Sequence, residues 1–329
     1  MNQEIVTELE KKINKDYSNI AGMVVLKDGK IRYENYFNEC TAASRIHVYS
    51  VTKSMISILI GIAMDKGYIK SINQKVLDFF PDYIVKRREK TIQNVTLKDL
   101  LTMTAPYKYK FAPYTYIKYF MSDDWVKFTF DLLGGKGQIG KFRYTPLVGP
   151  DILSGILVKA TGQSVFDFAT ENLFSPLGIT VESNVIFHSV KEQRAFNKSK
   201  SISGWVADAA GVNTGGWGLT LSPADMAKIG QLCLDGGMWN GKQIVSARWI
   251  DESTKEHSRW EKFNLSYGYL WWVENGNGYA AMGDGGNVIY VNTKKKIVVS
   301  IVSLFVPKVK DRMELIKKNI EPIFENCVW

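Results

Sequence analysis

The chain of 329 residues is 45% hydrophobic, enough apolar material for a large core in one domain or two lobes. Its 42 Lys and Arg against 33 Asp and Glu give a formal charge of +9, but the bases are scattered through short runs such as VKRREK and NTKKKI. With no zinc-finger spacing or RNP-type aromatic motif beside them, they read as a solvated surface and not as a nucleic-acid face. Cys40, Cys233 and Cys327 lie far apart and in no C-x-x-C arrangement, so neither a disulfide framework nor a zinc site is expected, and reduced thiols fit.

The first element, MNQEIVTELEKKI, patterns as an acidic amphipathic helix where a secretory signal would show a basic start and an apolar run; a cytoplasmic location is expected unless a leader has been removed. AGMVVLKDGKIRYENYF then gives two β-rich runs around Asp28-Gly29, a strong two-residue hairpin signal. Ser50 precedes an apolar helix from about Val51 to Met64. Its run SMISILIGIAM is well short of the roughly twenty residues a bilayer requires, so a buried helix is expected and no membrane span. Thr96-x-x-Asp99 and Ser222-Pro223-x-Asp225 both read as capping-box helix starts, and Gly236-Gly237 stops the second helix. Near the end, YGYLWWVENGNGYAAMGDGGNVIYVNTKKKIVVSIVSLF supplies three more strands with turns at ENGNG and NTKKK, and DRMELIKKNIEPIF closes the chain as a helix.

Strands from both ends around a helical middle predict an α+β fold: an antiparallel five-stranded sheet flanked by helices, with a mostly helical lobe inserted. With no repeat or linker, residues 1–329 form one domain, its sheet lobe from 1–70 and 265–329 and its helical lobe from 71–264.

Chemistry centres on VYSVTKSM. Ser50 falls in the first helical turn, where unpaired N–H groups and the dipole favour a developing negative charge. Lys53, three residues on, shares its face. In a helix so apolar a charged lysine is costly to bury, so its amine is paired or partly neutral, and a neutral amine beside a hydroxyl is a general base beside a nucleophile. The competing reading has Ser50 capping the helix and Lys53 reaching to water. This is the only S-x-x-K in the chain, and it opens the most apolar helix.

The motif resembles that of the serine β-lactamase and penicillin-binding-protein superfamily, specifically its class C-like branch with the related serine esterases and nylon-oligomer hydrolases. There the S-x-x-K serine is acylated. VTLKDLLTMTAP resembles the family's LLTHTSG helix, departing at Met103, Ala105 and Pro106, and GGWGLTLSPADMAKIGQLCLDGGMWNGKQIVSARWIDEST resembles the helix after its active-site loop. FRYTPLVGPDILSGILVKATG resembles the Y-S-N segment, implying Tyr144 as base or proton relay, with Pro146 where asparagine is usual; literal Y-x-N strings such as those at Tyr17, Tyr36 and Tyr290 fall at the wrong points of the chain. YAAMGDGGN resembles the K-T-G strand, with Ala281-Met282-Gly283 in its place. The resemblance implies that the Asp284 N–H joins that of Ser50 as an oxyanion hole. Without the lysine, and with an acidic side chain nearby, substrates bearing the carboxylate that β-lactamases bind there are expected to be disfavoured, and neutral or cationic esters and amides preferred.

No serine lies in a G-x-S-x-G frame, His47, His188 and His257 are well separated, and no HExxH, P-loop or dinucleotide fingerprint occurs, so no metal and no cofactor are expected. Trp205, Trp217, Trp271 and Trp272 are core residues or pocket walls. The expected function is an esterase-like serine hydrolase acting on a small-molecule substrate. The alternatives are a silent relative that binds a peptidoglycan fragment or a protein partner, a weak β-lactamase or DD-peptidase, and a basic nucleic-acid binder. The sequence leaves the oligomeric state open.

Overall fold

Eight strands form a single antiparallel sheet against which the helices pack; the computed structural model describes residues 3–108, 113–147, 149–274, 276 and 278–325. β1 (Ile20–Lys27) and β2 (Lys30–Tyr36) meet at Asp28-Gly29, where both residues have positive φ (51° and 73°), the turn geometry that matches the twist of the flanking strands. The remaining strands come late in the chain: β3 (Ser258–Trp260), β4 (Leu265–Tyr267), β5 (Trp272–Glu274), β6 (Gly278–Gly283), β7 (Asn287–Asn292) and β8 (Ile297–Ser303). Their order across the sheet is β2-β1-β8-β7-β6-β5-β4-β3, so the two ends of the chain pair at its centre.

The expected five-stranded sheet is corrected to eight. The five longer strands are β1, β2, β6, β7 and β8; β3, β4 and β5 have three residues each and extend the sheet beyond β6. Three residues are too few to show an alternating pattern, so nothing in the sequence separates such strands from loop. Asn275 and Asn277 of the ENGNG turn, and Cys327, lie outside the described residues. Cys40 and Cys233 are buried free thiols.

Both sheet faces are covered, which is why IAGMVVLK reads as an unbroken apolar run. On one face Met23, Val25, Val288, Val299 and Ile301 pack against Val6, Leu9 and Ile13 of α1 (Gln3–Asp16) and Ile316, Ile320 and Phe324 of the closing helical segment, residues 312–325. On the other face Val24, Leu26, Ile289, Val291 and Val298 join the larger core containing α2 (Val51–Asp65), α3 (Pro150–Thr161) and α4 (Pro223–Leu234). α4 begins at the expected Ser222–Asp225 capping box and approaches the sheet closely at Gly230, where a Cβ would stand 2.5 Å from Val298 Cγ1. Of the 71–264 stretch, β3 is thus a strand of the sheet and α4 packs directly on it.

α2 is buried from Val51 to Ala63, between the sheet and α3. Among the described residues no helix is long and apolar enough to cross a membrane. A notch at Gly61 receives Trp249, whose Nε1 donates to Ser57 O at 3.0 Å. A Cβ on Gly61 would lie 2.2 Å from the indole Cδ1. Because the rigid ring is pinned by its hydrogen bond, Gly61→Ala is expected to destabilise the protein by about 1–3 kcal/mol despite alanine's better helix propensity. Urea denaturation followed by tryptophan fluorescence checks this, and an unchanged midpoint would show that the indole gives way freely.

Candidate active site

Ser50 stands at the N-terminus of α2 with φ −69° and ψ −5°, and its side chain makes no capping hydrogen bond. The capping alternative is thereby excluded. Its backbone is held by the preceding residue: Tyr49 adopts a left-handed φ of 50°, a conformation that costs a residue with a Cβ about 1–3 kcal/mol and persists only where the surroundings enforce it. Here they do so through stacking, with the His47 ring 3.8 Å from that of Tyr49 and Phe305 at 5.4 Å.

Lys53 does not reach water; it is 1% exposed. Its Nζ donates to Ser50 Oγ at 2.8 Å, to Pro146 O at 2.8 Å and to Gly216 O at 2.7 Å. Burial pushes the amine down from its ordinary 10.5 to about 7, with the negative charges of Asp284 and Asp151 opposing. The acceptor set suits both protonation states. As ammonium, Lys53 has three donors for three acceptors; as neutral amine it keeps two donors for the two carbonyls and turns its lone pair toward the Ser50 hydroxyl.

Tyr144 joins this pair from the loop before α3, its ring centroid 5.3 Å from Lys53 Nζ. Burial drives the phenol up to about 12, partly offset by interaction with the Ser50 side chain. Trp260, Trp272 and Tyr267 surround the ring at centroid distances of 6.2, 5.5 and 6.4 Å, making an aromatic wall. Pro146 contributes its carbonyl where an asparagine side chain was looked for.

The end of β6 lies against the turn before α2. A Cβ on Gly283 would stand 2.2 Å from Val48 O and 3.1 Å from Ser50 N, so only glycine allows this approach, and it brings the next residue, Asp284, beside Ser50. Among the described residues neither the Ser50 nor the Asp284 N–H has an acceptor. The Asp284 carboxylate is exposed and close enough to raise the proton affinity of Lys53, Tyr49 and Tyr144. All the residues singled out from the sequence, Ser50, Lys53, Tyr144, Gly283 and Asp284, therefore meet in one place.

Asp151 was not foreseen. This buried carboxylate accepts from Tyr119 Oη at 2.7 Å and from Gly215 N at 2.9 Å, fixing the loop segment in which the adjacent Gly216 O holds Lys53. Burial raises its pKa to about 7. Its only sequence signal was an acidic residue near a helix start, which reads as ordinary dipole compensation. His47, by contrast, is structural: Gly218 N donates to its Nε2 at 3.0 Å, leaving Nδ1–H to donate to Asn197 Oδ1 at 3.0 Å. Burial pushes it down to about 3, so it stays neutral with both nitrogens engaged. The Y-x-N tyrosines are elsewhere; Tyr290, for example, donates to Glu321 on the opposite sheet face. Trp205, Trp217 and Trp271 are buried core residues, whereas Trp272 lines the site. Among the described residues no group of three His, Cys, Asp or Glu side chains is placed to hold a metal ion.

Comparison with known proteins agrees with this architecture. A model of the β-lactamase family matches residues 7–318. A 6-aminohexanoate-dimer hydrolase from Paenarthrobacter ureafaciens is 22% identical over 179 residues, which are 51% of this chain and 40% of that one; the match thus spans less than half of the relative's length. Among solved structures, a Bacillus anthracis protein provisionally named as a 6-aminohexanoate-dimer hydrolase superposes with a TM-score of 0.73 at 17% identity, covering 96% of this chain and 81% of that one. A family VIII carboxylesterase gives 0.72 at 16% identity, covering 96% of each chain. At these identities the structural matches establish the fold, and the family assignment rests on the match that spans nearly the whole chain: the protein belongs to the β-lactamase family of serine hydrolases.

Proposed function

We propose that the protein hydrolyses small esters or amides through an acyl-enzyme on Ser50, as an esterase-like hydrolase and not an efficient β-lactamase. The observation that carries this reading is the Lys53 amine at 2.8 Å from Ser50 Oγ, with its other hydrogen bonds taken by two main-chain carbonyls. Neutral Lys53 removes the Ser50 proton as Oγ attacks the substrate carbonyl. The negative charge that develops on the carbonyl oxygen meets the N–H groups of Ser50 and Asp284. The proton then passes to the leaving group, with Tyr144 beside both groups as the relay; its high pKa keeps the phenol protonated and able to donate. A water molecule, deprotonated by the same amine, releases the acyl group and restores Ser50.

Two departures favour esters over lactams. Pro146 offers no side-chain amide to a substrate amide, and Ala281 offers no ammonium to a carboxylate bonded near the reacting carbonyl, while Asp284 adds a negative charge. The hydrolases among the similar proteins support ester or amide chemistry.

Ser50→Ala is expected to lower turnover of p-nitrophenyl butyrate by at least about a thousandfold, with little turnover of a chromogenic cephalosporin by either protein. An unchanged ester rate would count against the mechanism, and efficient cephalosporin hydrolysis against the substrate class. Lys53→Ala is expected to slow acylation by about a hundred- to ten-thousandfold while the far-ultraviolet circular dichroism is retained; loss of the dichroism would make the lysine structural. Since the active form is the neutral amine, kcat/KM for the ester should fall as pH drops through about 7 and level off above it. A profile flat from pH 5 to 9 would remove Lys53 as the base.

A further inference from the structure

Tyr49 and the Phe305 ring packed against it also floor a cavity of about 430 Å³ beside the nucleophile turn, lined by Tyr49, Leu304 and Phe305 and by Arg194, Lys198 and Lys200. That size suits a small ligand. Its floor is apolar and includes a large exposed ring, Phe305 being 51% exposed. Arg194 and Lys198 come from an element the catalytic reading does not use, the helix Val190–Lys198, and Lys200 follows just after it. Arg194 and Lys198 are four residues apart and share a face of it. Lys200 is already engaged, donating to Asn38 O at 2.8 Å and lying 3.7 Å from a Glu39 carboxylate oxygen. Among the described residues, Arg194 and Lys198 have neither an ion-pair partner nor a hydrogen-bond acceptor.

This helix is tied to the nucleophile through a defined set of contacts. Asn197 lies between the two cations in sequence and accepts from His47 Nδ1; His47 stacks on Tyr49; Tyr49 is bonded to Ser50. The cavity is therefore held in a fixed relation to the reacting hydroxyl. An apolar floor with two unpaired cations at its rim matches a short aliphatic chain ending in an anion.

We infer that this cavity is a substrate subsite for an ester or amide whose chain ends in a carboxylate, the carboxylate meeting Arg194 and Lys198 and the methylenes lying on Tyr49 and Phe305. The inference rests on the proposed hydrolase reading and deepens it. It also limits the meaning of the absent lysine at Ala281: a carboxylate close to the reacting carbonyl finds Asp284, whereas one several bonds away finds two cations.

The test compares mono-p-nitrophenyl glutarate with p-nitrophenyl butyrate for the wild type and for the double variant Arg194→Glu/Lys198→Glu. The ratio of kcat/KM for the anionic to the neutral ester should fall about tenfold or more in the variant, a modest expectation for partly exposed charges. An unchanged ratio, with the neutral ester still turned over, overturns the subsite and leaves the hydrolase reading intact. Calorimetric titration of monomethyl adipate into Ser50→Ala protein reads the cavity without turnover. Binding that weakens on adding the two charge reversals supports the subsite even if no ester is hydrolysed, an outcome that would overturn the hydrolase reading alone; binding that is absent or indifferent to them overturns the subsite.

Discussion

The architecture of the site depends on one buried amine. Lys53 Nζ gathers Ser50 Oγ, Pro146 O and Gly216 O, which belong to the start of α2, the loop before α3 and the loop segment that Asp151 anchors. Each contact joins a different part of the chain, separated by 93 and 163 residues in the two main-chain cases. An ammonium this deep is unfavourable without full hydrogen bonding, so the surrounding backbone supplies acceptors and the proton is held weakly. The same burial that makes the lysine a junction of the site lowers its hold on the proton, the property the proposed mechanism uses.

Glycine geometry lets the junction form. Gly283 brings β6 to the Val48–Ser50 turn, and Gly216 lies where a Cβ would come within 2.9 Å of Pro146 O, so the two carbonyls that grip Lys53 come from segments packed backbone to backbone. Main-chain groups thus carry much of the site's hydrogen bonding. Pro146 cannot offer a side-chain amide, yet its carbonyl orients the amine; Asp284 presents an N–H that only a proline there would remove.

Much of this was legible because local chemistry and tertiary structure agree. Asp28-Gly29 forms the turn its composition demands, Thr96–Asp99 and Ser222–Asp225 form reciprocal caps, and the three-residue spacing of Ser50 and Lys53 sets both side chains on one helical face. Tyr144 was found through the resemblance of its surroundings, since nothing in an isolated tyrosine marks it. The illegible parts share a cause. Strands of three residues carry no period, a carbonyl such as Gly216 O has no residue-type signature, and Asp151, Trp260 and Arg194 acquire meaning only from segments distant in sequence. His47, close to Ser50 in sequence, is kept from base chemistry by partners some 150 and 171 residues away.

Burying both Lys53 and Asp151 also links the folding equilibrium to protons. Lys53 has its pKa lowered from 10.5 to about 7 on folding, so between those values the unfolded chain holds a proton the folded chain lacks, and this group's contribution to stability rises with pH across that window. Asp151 is raised from 3.8 to about 7, so the folded chain holds the extra proton there, and its contribution falls as pH rises from 3.8 to 7. The two windows meet near neutrality, where the pair together favours the folded state least. The pH at which the amine gives up its proton is thus the pH at which the rest of the core must do most to hold the site together.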